Sequence, residues 1–282
     1  MASTGKKIAL GCGAGCLTLA LITGGIGTCA YLGVRDVMDE AENLDVVYAD
    51  LQAKYGPPTA YIPPADGRLD PGRIELFLGA RDSLITRGED AASAMRILDD
   101  AEGADTNPLA KIRAGMRFIP ATIRYVAAHS NALDAAGMGL GEYAHIYALG
   151  YYVMLGEDPG SGPDFELQNR PGEEHGGEVE FSLESEGDPR QRRALRFREQ
   201  LNRIGRRQLE NQREEALASG ADPGWIATLD TEIERLGDDW RRLPWQDGLP
   251  EPVAASLAPF RARFAATWSP YLNALEMAAL EE

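Results

Sequence analysis

The chain has 282 residues, with 44 acidic residues against 28 lysines and arginines, and a formal net charge of −16. All of the acidic residues and none of the three cysteines lie after residue 33. Residues 34–282 therefore form an acidic part that resists nucleic acid and anionic lipid headgroups, and that depends on packing rather than on disulfides.

The apolar stretch from Ile8 to Leu32 carries no charged side chain. As a helix it extends roughly 37 Å, which exceeds the about 30 Å of a hydrocarbon core. We therefore predict one membrane span. A cleaved signal peptide and a lipoprotein lipidated at Cys29 are the alternatives. The apolar run, however, exceeds the about 7 to 15 residues of a signal-peptide core, and Thr28 is the wrong residue before a lipidated cysteine.

The charges that flank this stretch predict its orientation. Lys6 and Lys7 precede it, whereas Asp36, Asp39 and further acidic residues follow it. Because basic flanks stay in the cytoplasm, we predict a single-pass protein of the cytoplasmic membrane, with its N-terminus inside and residues 34–282 outside. The exported part has no Asn-x-Ser/Thr site and arginine greatly outnumbers lysine, which favours a bacterial protein.

Small residues recur at every fourth position of the predicted span and form a ridge along which two helices can approach closely. This pattern predicts self-association of the span, or its pairing with another membrane protein. The alternative is a chance ladder in a glycine-rich segment. The predicted pairing residues are Cys12, Cys16, Ala20, Gly24 and Thr28.

The cytoplasmic stub and the predicted membrane anchor take up residues 1–33. A stalk and a linker are predicted to follow them. Apolar residues keep helical spacing over residues 34–55, which predicts an amphipathic helix. Gly56-Pro57-Pro58 ends it, and Pro63-Pro64 keeps the chain extended. We assign residues 34–69 to this stalk and linker.

Residues 70–155 are predicted to form the first half of a helical bundle. Asp70-Pro71 is a helix start, with a capping residue before a proline at the first helical position. The stripe that follows is apolar except for Arg81. We expect this helix to break at Arg87-Gly88, so that a second helix from Glu89 to Glu102 forms a hairpin with it.

Two further helices are predicted in this half. One begins at Asn107-Pro108 and should kink at Pro120. The other runs from about Gly141 to Leu155 and is apolar nearly all round, with four tyrosines. Such a helix belongs in the centre of the core.

Glu142 and His145 share one face of this central helix. Glu-x-x-His on a bundle helix is half of a carboxylate-bridged di-metal site, but the chain has no second copy. The pair is thus a weak candidate for a metal or ligand site. The alternative is a hydrogen-bonded pair at the edge of the core, and we expect no cofactor. No serine-hydrolase elbow, zinc-protease or phosphate-loop motif is present.

Residues 156–188 are rich in glycine, proline and glutamate, which predicts a disordered acidic loop between two halves of the bundle. The next helix, residues 189–219, has a basic first half. It could bind an acidic partner, a phosphate-rich ligand or lipid headgroups, or it could be solvated and neutralised by the acidic loop and the acidic bundle. The residues of this predicted basic face are Arg192, Arg193, Arg196, Arg203 and Arg207.

The second half of the bundle is predicted over residues 189–282. Asp222-Pro223 repeats the capped start, and the last helix is interrupted at Pro259 and Pro270. No strand pattern of any strength appears. The fold class is therefore all-α, with a membrane helix followed by an irregular extracytoplasmic bundle of seven or eight helices.

Three short segments resemble segments of uncharacterised bacterial membrane-anchored proteins: Pro64–Leu69, Arg73–Leu78 and Met138–Tyr143. The resemblance implies an exported helical protein and no transferable activity.

Taken together, these features predict a membrane-tethered, extracytoplasmic binding or scaffold module. Its partners would be the lipid bilayer through one span, a second copy or another membrane protein, and a protein that the sequence does not name. The alternative is an exported enzyme, or a metal- or ligand-binding protein, which would need a pocket where Glu142 and His145 both reach solvent.

Overall fold

The computed structural model describes residues 49–99, 108–162 and 189–278, together with Leu280. The predicted span Ile8–Leu32 with its pairing residues, and most of the predicted acidic loop, lie outside the described residues. In the part that is described, every regular element is helical, which confirms the all-α class. None of these helices combines the length and the apolar character needed to cross a membrane.

Nine α-helices follow one another in the described ranges. They are α1 (residues 49–55), α2 (Pro71–Asp99), α3 (Pro108–Ala135), α4 (Leu140–Tyr147), α5 (Pro189–Ser219), α6 (Pro223–Asp238), α7 (Glu251–Leu257), α8 (Arg261–Ala266) and α9 (Pro270–Ala278).

Prolines mark the helix starts as predicted. Helices α2, α3, α5, α6 and α9 each begin at a proline, which has no N–H to leave unpaired in the first turn. Asp222 caps α6 by accepting a hydrogen bond from the backbone N–H of Trp225 at 3.0 Å. Asp70 accepts one from the N–H of Gly72 at 2.9 Å. The interruptions at Pro259 and Pro270 are also confirmed, because a 3₁₀ turn and then an unwound segment separate α7, α8 and α9.

The predicted break at Arg87-Gly88 is wrong, since α2 runs without interruption from Pro71 to Asp99. Gly88 is buried in the middle of the helix, where a Cβ atom would lie 2.7 Å from the side chain of Leu272 and 3.0 Å from that of Tyr125. The missing side chain lets α9 and α3 approach α2. Close packing here outweighs the helix-weakening tendency of glycine.

The central helix is confirmed as buried, but it is not a regular α-helix throughout. After α4 it continues as a π-helix over Ala148–Met154, closed by a hydrogen bond from the N–H of Leu155 to the carbonyl of Gly150, five residues back, at 3.2 Å. The wider turn brings the hydroxyls of Tyr147 and Tyr152 to one acceptor, the side-chain oxygen of Asn273.

The described residues all belong to one compact unit with two hydrophobic clusters. The larger one combines side chains of α2, α4 and the π-helix with those of α5 to α8, including the fully buried Phe77, Tyr147, Leu229 and Phe264. The smaller one lies between α2, α3 and α9, around Met95 and Tyr125. The larger core thus unites the two predicted halves of the bundle.

Candidate functional site

Between α1 and α2 the chain forms a proline-rich strap, residues 56–64, which contains a short 3₁₀ turn at Pro58–Ala60 and lies against α5. Gly56 starts it with a φ of +82°, a backbone conformation that favours glycine. The amide nitrogen of Gln208 on α5 donates to two carbonyl oxygens, Pro58 in the strap and Gly141 in α4, both at 2.9 Å. This single buried side chain therefore joins the strap to two helices.

Two more amides of α5 hold the strap in the same way. Asn211 donates to the carbonyl of Thr59 at 3.0 Å, and Gln212 donates to that of Pro64 at 2.6 Å. A proline-rich segment offers few N–H donors but keeps all of its carbonyls as acceptors. Amide side chains, which donate, are the matching partners, and they satisfy backbone groups that would otherwise be buried unpaired.

The other side of the strap packs on the start of α4, where Gly141 makes room for it, and Gly139, just before α4, makes room for the end of α1. A Cβ atom on Gly141 would lie 2.5 Å from the carbonyl oxygen of Pro58, and one on Gly139 would lie 2.6 Å from the Cβ atom of Tyr55. Both glycines belong to the segment Met138–Tyr143. In this structure Gly141 lets the strap approach α4, and Gly139 lets Tyr55 of α1 approach it.

His145 is part of the strap contact. Its Nδ1 lies 3.1 Å from Oε1 of Gln208, and its ring centroid lies 5.6 Å from that of Tyr61 in the strap. Beside it is a cavity of only about 20 Å³, lined mainly by aliphatic side chains, which is room for about one water molecule. Burial lowers the pKa of His145 to about 4, so the imidazole is neutral at pH 7.

Glu142 has a different partner. It forms a bidentate ion pair with Arg73 of α2, in which Nε of Arg73 donates to Oε1 at 2.6 Å and Nη2 donates to Oε2. Arg73 also donates to the carbonyl of Gly137 at 3.0 Å and so closes the turn before α4. Glu142 and His145 are therefore engaged by separate groups. In the described ranges no three His, Cys, Asp or Glu residues are placed to hold a metal ion.

The predicted basic face of α5 needs one correction. Arg193 is buried and donates to the carbonyl oxygens of Gly160, at 2.6 Å, and Gly162, so it faces the protein interior instead of a partner. Arg207 is exposed and pairs with Glu210 at 3.1 Å. The other three predicted residues of this face, Arg192, Arg196 and Arg203, keep at least part of their surface in solvent. Partner binding by this face stays a prediction.

The densest group of ionisable side chains was not singled out from the sequence. Arg81 of α2, fully buried, pairs with the buried Glu276 of α9. Arg81 also donates to the hydroxyls of Tyr151, at 3.1 Å, and Tyr143, at 3.3 Å, and to the carbonyl of Thr267 at 2.8 Å. It therefore ties α2 to the π-helix, to α4 and to α9.

Tyr125 of α3 completes this group by donating to the same oxygen of Glu276 as Arg81. Burial raises the pKa of Tyr125 and Tyr143 well above the usual range, so both phenols remain hydrogen-bond donors. We call the set Arg81, Glu276, Tyr125, Tyr143 and Tyr151 the buried ionic network. It is sealed from solvent, which suits a structural role. The sequence hints at this network only through charged residues in apolar surroundings, such as Arg81 in the apolar stripe of α2.

The described residues form an all-α protein. Its strap, residues 56–64, is docked on the core, and the ion pair of Arg81 with Glu276 is fully buried. Comparison with protein-family models, with curated proteins and with solved structures finds no match for the chain in any of the three.

Proposed function

We propose that the chain is a membrane-tethered, extracytoplasmic binding or scaffold module. The observation that carries the proposal is the docked strap. The strap comes directly after the stalk in the sequence, and three amides of α5 and the close approach of Gly141 in α4 fix it to the domain. A tether that is firmly attached at this point would set the position of the domain relative to its anchor, whereas a loose linker would leave the domain free to reorient.

The contacts that Glu142 and His145 make disfavour the alternative of an enzyme or ligand-binding site at these two residues. Arg73 takes the carboxylate and Gln208 takes the imidazole, so neither group is directed at a shared reacting atom. A general acid or base must come within hydrogen-bond reach of substrate. The cavity of about 20 Å³ beside His145 has no room for one.

The tether is tested by fractionating cells that express the full chain with an enzyme reporter at its C-terminus that is active only outside the cytoplasm. We expect the chain in the membrane fraction and an active reporter. Leu19→Arg, near the centre of the predicted span, should reduce both, because arginine there costs about 2.5 to 3.5 kcal/mol on insertion scales. Leu19→Phe is the apolar control. Wild-type chain in the soluble fraction would refute the proposal.

The docked strap is tested by limited proteolysis of the full chain. Replacing Gln208 and Gln212 together by leucine removes the donors to Pro58 and Pro64, so we expect faster cleavage within residues 56–64. Gln191→Leu is the matched control, because Gln191 lies on the same helix with its side chain exposed. Equal cleavage of the double variant and the control would show that the amides do not hold the strap.

A further inference from the structure

Three side-chain amides of α5 bind the strap through its main chain. Gln208, Asn211 and Gln212 each donate to a backbone carbonyl oxygen within residues 58–64, at distances of 2.6 to 3.0 Å. These hydrogen bonds do not depend on the side chains of the strap, so a proline-rich segment of another sequence offers the same acceptors. We call the three amides and Gly141, whose missing side chain makes room for the strap, the strap site.

The strap lies on this site in the way that a bound peptide does. Of its nine residues only Pro58 and Pro63 are buried, whereas Pro57, Ala60 and Ile62 are exposed. Ile62, a large apolar residue, keeps 51% of its surface in solvent. Proteins recognise extended peptides by hydrogen bonds to the main chain and by pockets for a few of the side chains. The strap therefore makes the contacts of a ligand that is covalently joined to its own site.

An open groove of about 590 Å³ lies between the strap and α5. Thr59, Ala60 and Ile62 line it from the strap, and side chains between residues 207 and 218 line it from α5. This volume is within the roughly 300 to 1,000 Å³ of ligand pockets. The strap thus leaves part of the surface beside it unfilled. The groove gives an incoming segment access to α5 while the strap is still in place.

From these observations we propose that the strap site binds a proline-rich segment of a partner protein, and that the chain's own strap occupies the site until the partner displaces it. The strap is then an internal competitor, and the affinity for the partner falls with the fraction of molecules in which the strap is docked. Displacement frees the domain from its fixed attachment to the tether, so that partner binding and the orientation of the domain are coupled.

This inference rests on the proposed binding function, which it deepens by stating the chemistry of the partner. The test uses the purified full chain and a fluorescent peptide with the sequence of residues 55–65, and it measures the dissociation constant by fluorescence anisotropy. We expect saturable binding to the double variant Pro58→Gly, Pro63→Gly, whose own strap has lost both buried prolines.

The wild-type chain should bind the peptide at least roughly tenfold more weakly than the double variant, because its intact strap is tethered beside the site and competes. A peptide with alanine in place of the two buried prolines should bind the double variant more weakly by a similar factor. Urea unfolding, followed by tryptophan fluorescence, shows that each variant is folded, and the peptide contains no tryptophan.

Changes made in the double variant locate the binding to the strap site. Gln208→Leu together with Gln212→Leu should raise the dissociation constant by at least roughly tenfold, because two hydrogen bonds are lost. Asn211→Ala should raise it by roughly threefold to tenfold. Since Asn211 is only half-buried, its replacement tests the site with less effect on the fold. Gln191→Leu, at an exposed position of α5, is the matched control and should leave the dissociation constant within twofold.

The inference is overturned if the double variant does not bind the peptide, if the wild type binds it as tightly, or if the alanine peptide binds as well as the original. It also fails if the amide changes have no larger effect than Gln191→Leu. If two differently tagged copies of the chain co-purify and the peptide separates them, the occupant is the strap of a second copy and a different partner protein is refuted. None of these results alters the fractionation test, so the failure of this inference is distinguishable from that of the proposed function.

Discussion

Replacing Arg81 by methionine should destabilise the protein by about 3 to 5 kcal/mol, the usual cost of removing one partner of a buried ion pair. The guanidinium donates to Glu276, to two tyrosine hydroxyls and to a backbone carbonyl, and both charged side chains are fully buried. Methionine fills most of the volume but donates nothing. It leaves the carboxylate of Glu276 with Tyr125 as its remaining donor in the buried ionic network.

The magnitude is large compared with the stability of a typical domain, which is about 5 to 15 kcal/mol. At about 2 to 4 °C per kcal/mol for a domain of this size, the melting temperature should fall by roughly 6 to 20 °C. Urea unfolding of the full chain, followed by tryptophan fluorescence, measures the free energy directly. Arg263→Met is the matched control. Arg263 pairs with Glu75 and Asp82 at the surface, where a salt bridge contributes about 0 to 1 kcal/mol.

The double variant Arg81→Met, Glu276→Leu separates the ion pair from its packing. Removing both charges together should recover much of the loss, because no unpaired charge remains buried. If Arg81→Met costs less than about 1 kcal/mol, or if the two single losses add up in the double variant, the carboxylate is not held by the guanidinium and the reasoning fails.

Four further substitutions test other parts of the fold. Gly150→Ala should cost about 1 to 3 kcal/mol in urea unfolding because its Cβ would overlap the ring of Phe264, whereas Gly79→Ala, in open space on α2, should stabilise by about 0.4 to 1 kcal/mol. Burial lowers the pKa of His129 to about 3, so the unfolded state binds the extra proton below pH 6.5 and stability falls as the pH drops. The slope of the unfolding free energy against pH, between pH 6 and 4, should be smaller in His129→Gln by up to about 1.4 kcal/mol per pH unit. An unchanged slope would refute the lowered pKa of His129. Gln208→Leu should destabilise by about 1 to 3 kcal/mol, because two buried carbonyls lose their donor; a loss no larger than that of Gln191→Leu would contradict this.

The helix starts could be predicted because their chemistry is local. A proline at the first helical position leaves no N–H unpaired there, and this signal alone placed the starts at Pro71, Pro108, Pro189 and Pro223. The burial of the central helix also followed from its own residues. The continuity of α2 through Gly88 did not, because glycine weakens a helix in isolation and is favoured here only by Leu272 and Tyr125, which come from α9 and α3.

The ion pair of Arg81 with Glu276 joins residues 195 positions apart in sequence, so no periodicity could reveal it. A charged residue in an apolar stripe does indicate a buried charge, and a buried charge requires a partner. That rule says that a partner exists without saying where. Glu276 follows Leu275 and precedes Met277 in a short apolar helix, and it gave the same partial signal.

Glu142 and His145 show why spacing alone could not decide between a site and a structural pair. Three residues apart on a helix, they share a face, but Arg73 lies 69 positions before Glu142 and Gln208 lies 63 positions after His145. Each partner serves another contact as well, Arg73 with the turn before α4 and Gln208 with the strap. Glu142 therefore joins α4 to Arg73 of α2, and His145 joins α4 to Gln208 of α5. A Glu-x-x-His pair indicates a metal site only when both groups face the same unoccupied volume, and that requirement is tertiary.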